Sequence, residues 1–194
     1  MNQSARFRYS PALNKVVLQG LTEILGTARL DDLLASLPAE GAGRDLGSLR
    51  QVLLQTYGQQ SSAGILMRAG RAAFARLLTG SAAELGFEDQ SFRLLPPRRK
   101  IFTALQQLAG WLNRQEGGDY RVVEGNGVWQ WVCVGRLEGD LSASCRPLCP
   151  FTMGMLQELT YWASSGRVYP LREEAGGKAA PTGCVIAIEQ QPLD

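Results

Sequence analysis

The chain predicts an α+β fold, with N-terminal helices packed on a C-terminal antiparallel sheet of β-β-α-β-β order. Three observations predict it. Apolar residues recur at helical spacing from Leu13 to Leu112. At Gly117 the pattern changes from a period of about 3.6 to one of 2. The tetrapeptide Glu124-Gly125-Asn126-Gly127 then separates two alternating apolar segments, which marks a hairpin, because Asn-Gly and Gly supply the positive φ that tight turns need. Runs of helix followed by runs of strand define the α+β class.

Each element follows in order. Leu13, Val16, Val17, Leu21 and Leu25 mark a first helix, stopped at Gly26. Leu30, Leu33 and Leu34 mark a short second one, ending before Pro38. Residues 40–44 read as a Gly/Ala loop. Leu49, Val52, Leu53 and Tyr57 form a third stripe, closed near Gly58. A fourth helix is expected over 64–78, with Ile65, Met67, Ala69, Ala73, Phe74 and Leu77 on one arc and Gly80 as its stop. Gly64 and Gly70 each cost about 1 kcal/mol relative to alanine inside a helix, so close approach of another helix would explain them.

Pro96 and Pro97 open a fifth helix, where proline's missing N–H costs nothing. Its buried face is Ile101, Phe102, Leu105, Leu108, Ala109 and Leu112. Arg98, Arg99 and Lys100 at its start read as a solvated face, and cations there oppose the helix dipole. The hairpin strands are Tyr120 to Val123 and Val128 to Val134. A helix follows from Phe151 to Ala163, then strands from Arg167 to Arg172 and from Cys184 to Ile188. Short turns between paired strands favour antiparallel pairing.

Composition bounds the function. Of 194 residues, 45% are apolar and 20% charged, as in an ordinary globular domain. The formal net charge of +2 carries no nucleic-acid surface. There is no histidine, which excludes a histidine-ligated haem, a histidine general base, a Ser-His-Asp triad and imidazole-held zinc. The polar start lacks a signal-peptide core, and no run reaches the ~18 apolar residues of a membrane span. The expectation is a soluble cytoplasmic protein whose four cysteines stay reduced.

The chemistry concentrates in the C-terminal half. Trp129, Trp131 and Cys133 share one face of a strand, so the two indoles either cover the sheet as core or wall a pocket for a flat ligand. Cys145 and Cys149 form a C-x3-C pair in a proline-containing loop, and Cys184 begins the last strand. That spacing is open between a metal site and buried structural thiols. No dinucleotide loop, nucleophile elbow or C-x-x-C pair occurs.

The stretch CPFTMGMLQELTYWASSGRVYPLREE from Cys149, followed by the strand from Gly183 to Ile188, resembles the end of 4-vinyl-reductase-type domains. The matching features are Cys149, the aromatic Phe151, Gly154 within the helix, an acidic Glu173 or Glu174, and the last cysteine, Cys184. The segment from Gly64 to Leu78 is similar to the family's glycine-containing helix. The resemblance implies a single domain over residues 1–194, with 1–60 a helical extension and 61–194 the core. It implies the fold shared with NO-signalling and Golgi-transport-particle subunits, often dimeric, with an apolar cavity between helices and sheet. It places Phe102, Gln106, Trp129, Trp131, Met153 and Leu171 around that cavity.

By the same resemblance Cys149, Glu173 and Cys184 match three of four ligands of a structural zinc. Gly176, Gly177 and Lys178 stand where the family has its remaining cysteine, so Cys145 would have to serve as the fourth. The implied function is a non-enzymatic binding protein or assembly factor for an apolar or aromatic small molecule, phenolic, tetrapyrrole or hydrocarbon-like, in photosynthetic pigment or complex biogenesis. A tetrapyrrole vinyl-reductase or its accessory is one alternative, and a dimerising adaptor with a filled cavity is another. The implied partners are an apolar small molecule and a second copy or a related domain, with no nucleic acid and no transmembrane segment.

Overall fold

The computed structural model describes residues 9–37, 45–133, 149–174 and 184–193. Cys145, the end of the second hairpin strand at Val134 and the Gly-rich loop of 176–183 lie outside the described residues. Seven helices and four strands are described: α1 (Pro11–Leu25), α2 (Thr27–Ala35), α3 (Leu46–Tyr57), α4 (Gln59–Ser81), α5 (Gln90–Arg93), α6 (Pro97–Glu116), β1 (Tyr120–Glu124), β2 (Val128–Cys133), α7 (Pro150–Ala163), β3 (Leu171–Glu174) and β4 (Cys184–Glu189). The fold is α+β, and all strand pairs are antiparallel in the order β1-β2-β4-β3.

Local chemistry sets the helix starts. Ser10 Oγ accepts from the Leu13 amide at 3.2 Å, with Pro11 at the first helical position. Asp45 accepts from the Ser48 amide at 2.8 Å to open α3. Both satisfy amides that a helix start otherwise leaves bare. Gly117, at φ 69°, takes the left-handed conformation that ends α6.

Helix α4 lies between α1 and α7, and glycine lets both come close. A Cβ on Gly70 would stand 2.0 Å from the Phe151 carbonyl oxygen, and one on Gly154 would stand 1.9 Å from that of Met67. The two helices therefore touch backbone to backbone at two reciprocal points. On the other side, a Cβ on Gly20 would meet the Ala69 oxygen at 2.4 Å. Gly64 faces open space, so its predicted packing role does not hold.

The side chain of Asn113 ties the helix layer to the sheet edge. It donates to the Tyr120 carbonyl at 2.9 Å and accepts from the Tyr120 amide at 2.7 Å. Phe74, Phe87, Phe92 and Trp162 join α4, α5 and α7, with ring centroids 5.0–6.4 Å apart in the paired contacts. The Lys100 ammonium lies over Phe92 and Trp162 at 5.5 and 5.9 Å.

Three boundaries differ from the sequence reading. Helix α4 starts earlier than predicted, because its Gln-Gln-Ser-Ser opening is polar and gives no apolar period, and it runs through Gly80 to Ser81. The one-turn helix α5 is too short to show a period. β3 starts at Leu171 rather than Arg167, because Pro170 has no N–H for a ladder and the pairing begins beyond it.

Candidate metal centre

Register decides which side chains meet. Trp129 pairs with Ile188, Trp131 with Ile186 and Cys133 with Cys184 across β2 and β4. Leu171 pairs with Ile188 and Glu173 with Ile186 across β3 and β4. Directly opposed residues point to one face, so Trp129, Trp131, Cys133, Cys184, Ile186, Ile188, Leu171 and Glu173 share the face toward the helices. All but Glu173 belong to the core or pack against it, while Val132 and Val185 form a separate pair on the opposite face.

Two carboxylates fall on that face: Glu124, opposite Trp129, is exposed, whereas Glu173 is half-buried and has company. The ligand atoms of Cys149, Glu173 and Cys184 all lie within 4.8 Å of one another. They come from three different elements. Cys149 is the N-cap of α7, Glu173 sits in β3 and Cys184 opens β4. The Cys149 amide donates to Glu173 Oε1 at 3.1 Å, which aims the carboxylate at the helix start. The end of a helix that exposes amide N–H groups favours a thiolate over a neutral thiol beside it. Cys184 is buried, and Cys149 and Glu173 are half-buried. Two sulfurs and a carboxylate oxygen at this spacing are a borderline-soft donor set of the kind zinc takes. Cys145 lies outside the described residues.

The six residues expected around a cavity divide. Trp129 and Trp131 are 0% exposed, Met153 is buried, and Phe102 and Leu171 pack half-buried against the core. Gln106 is exposed. Its expected place inside is corrected: it falls on the solvent side of α6, opposite the stripe of Ile101, Ala104, Leu105 and Leu108. Trp131 lies 5.8 Å from the Tyr120 ring and Trp129 lies 6.3 Å from that of Tyr169. The indole N–H groups of Trp129, Trp131 and Trp111 are buried and have no acceptor among the described residues. Sequence reasoning missed Trp111, which it did not place in the helix's apolar stripe.

No family model matches the chain, and no curated protein is similar to it in sequence. Solved structures are similar in fold. The Fe(II) unliganded H-NOX protein from K. algicida superposes with a TM-score of 0.57 at 12% identity, covering 93% of this chain and 96% of that one. An oxygen-binding H-NOX domain related to soluble guanylate cyclases, in its oxygen complex, gives a TM-score of 0.52 at 11% identity, covering 93% and 94%. A structure described for modulation of haem redox potential through protein-induced porphyrin distortion gives 0.55 at 11%, covering 93% and 99%. The chain has the H-NOX fold.

That finding overturns the 4-vinyl-reductase resemblance. The features that carried it are a cysteine-led helix with an internal glycine and a strand pair behind a Gly-rich loop. They follow from the element order itself and from the α4–α7 backbone contact, so they do not single out one family. The readings built on that family fall with it: the pigment or complex assembly factor for apolar guests, the vinyl-reductase and the dimerising adaptor.

Haem figures in the descriptions of two of the similar structures. This chain contains no histidine, so it cannot hold iron through imidazole. Among the described residues, the grouping of possible metal donors is the cysteine–carboxylate set at the start of α7, which suits a tetrahedral divalent ion. A histidine-held haem does not fit these residues. No helix of the described residues is long and apolar enough to cross a membrane.

Proposed function

We propose that this chain is a divalent-metal-binding domain on the H-NOX fold, with zinc as the cation and Cys149, Glu173 and Cys184 as ligands. One observation carries the reading: three donors far apart in sequence converge within 4.8 Å. Zinc there would fasten the start of α7 to the β3–β4 end of the sheet, and so fix the helix layer over the Trp129–Trp131 face. The remaining donor types also suit it, because zinc accepts cysteine sulfur and carboxylate oxygen together.

Metal analysis of the native protein tests this directly. One zinc per chain is expected, with loss of tight binding in Cys149→Ser and Cys184→Ser. A protein that takes up no zinc at micromolar concentrations, while folded by circular dichroism, would end the proposal.

A further inference from the structure

Three convergent ligands leave zinc one short of the four that a closed structural site holds. Four cysteines occur in the chain; of the three among the described residues, Cys133 is the one outside the three-atom cluster. We infer that Cys133 is the fourth ligand. The inference rests on the proposed metal site, and the sheet register carries it.

Cys133 stands directly opposite Cys184. The Gln190 amide bonds to the Gly127 carbonyl at 2.9 Å, which fixes the parity of the β2–β4 ladder. Pairs two residues apart share that parity, so Cys133 and Cys184 form a hydrogen-bonded pair with Cα atoms about 5.5 Å apart. Their side chains point to the same face. Both residues are 3% exposed, so the metal would meet two thiols already removed from water.

The layout around Cys184 would suit four ligands. Cys184 is on a central strand, with Cys133 beside it on β2 and Glu173 diagonally across on β3. Cys149 comes down from the helix layer. The metal would thus have neighbours on both flanks and above. Zinc–sulfur bonds of about 2.3 Å put two sulfurs about 3.8 Å apart, a spacing that cross-strand cysteines reach without moving the backbone. The Cys133 sulfur stands outside the 4.8 Å cluster. A change of χ1 rotamer moves a cysteine sulfur by about 3 Å, and that is the movement ligation would ask of Cys133. A disulfide between the two is a poorer outcome, because opposed residues of a hydrogen-bonded pair hold their Cβ atoms farther apart than the about 3.8 Å a disulfide prefers.

The set would then be three thiolates and one carboxylate, all drawn from described residues. This composition selects zinc over magnesium or calcium, which prefer oxygen alone. Binding releases a proton from each thiol and changes no oxidation state.

The test counts sulfurs. X-ray absorption of the zinc-loaded protein should show three sulfurs and one oxygen or nitrogen, in the wild type and equally in Cys145→Ser. In the cobalt-substituted protein, Cys133→Ser should remove about a third of the thiolate charge-transfer intensity. It should also weaken zinc binding by about a hundredfold or more, beyond the 10–100-fold cost of losing an outer-shell partner. If Cys145→Ser lowers the sulfur count and Cys133→Ser does not, Cys145 is the ligand and this inference is overturned while the site stands. If Cys149→Ser and Cys184→Ser leave binding unchanged, the site itself is wrong, which is a separate failure. Should Cys133→Ser fold poorly, the sulfur count of Cys145→Ser still decides: three sulfurs support Cys133, and two overturn it.

Discussion

At the scale of single residues, the metal proposal turns on protons. Zinc binds thiolates, and an ordinary thiol titrates near 8.5, so protons compete with the metal below that value. Affinity should therefore fall as pH drops from 8 to 6. The slope of log affinity against pH counts the thiols involved, about two per unit for Cys149 and Cys184, and about three if Cys133 joins them. Competition titrations with a chromophoric chelator at several pH values measure it, and a pH-independent affinity would contradict thiolate ligation. Gly70 supplies a second test at this scale. Its missing Cβ faces the Phe151 carbonyl at 2.0 Å, and a backbone oxygen cannot rotate away. Gly70→Ala should cost about 3 kcal/mol, the upper end for overpacking, as read by urea denaturation. Gly64→Ala, which meets nothing within 4 Å, should instead stabilise by about 1 kcal/mol.

At the scale of elements, α6 begins badly for its dipole. Pro97 supplies a suitable backbone start, but Arg98, Arg99 and Lys100 place cations where the helix end is already positive. Arg98 answers with Glu124 and Gln190, and Lys100 with the rings of Phe92 and Trp162. Arg99 is exposed, and Arg99→Glu should stabilise the protein by about 0.5–1 kcal/mol at low salt, shrinking as salt is added. Thermal melts at two ionic strengths would check it. Element boundaries were legible at caps and breakers such as Gly26, Gly58, Pro97 and Gly117, although α4 runs through Gly80. They were illegible where the chain offered no period: the polar opening of α4, the single turn of α5, and the extended run before Pro170 that joins no ladder.

At the scale of the whole molecule, a site that ties three elements together couples metal to folding. Anything bound by the folded state alone adds stability, about 2.7 kcal/mol at a hundred times its dissociation constant. For a domain of this size each kcal/mol moves the melting temperature by about 2–4 °C. Zinc should accordingly raise the melting temperature by about 5–10 °C, and a chelator should reverse the gain. Equal melting temperatures with and without zinc would mean that the ion, if bound at all, sits away from the folded core. The core itself is large, with α1, α4 and α7 in backbone-close contact, so removing zinc should loosen the start of α7 without unfolding the domain.

The sequence alone determined the order of every element but α5, the α+β class and the exclusion of imidazole chemistry, because period, breakers and composition are properties of neighbouring residues. It also named Cys149, Glu173 and Cys184, although through a likeness to a family that the fold comparison does not support. Tertiary structure decided the rest. Helix α6 turned Gln106 to water, since its apolar stripe took the sheet side. The α4–α7 contact showed why Gly70 and Gly154 are glycine. Cys133 came to face Cys184 only through strand register, which is set between segments some fifty positions apart. Contacts of that kind depend on how distant strands pair, and no local pattern along the chain encodes them.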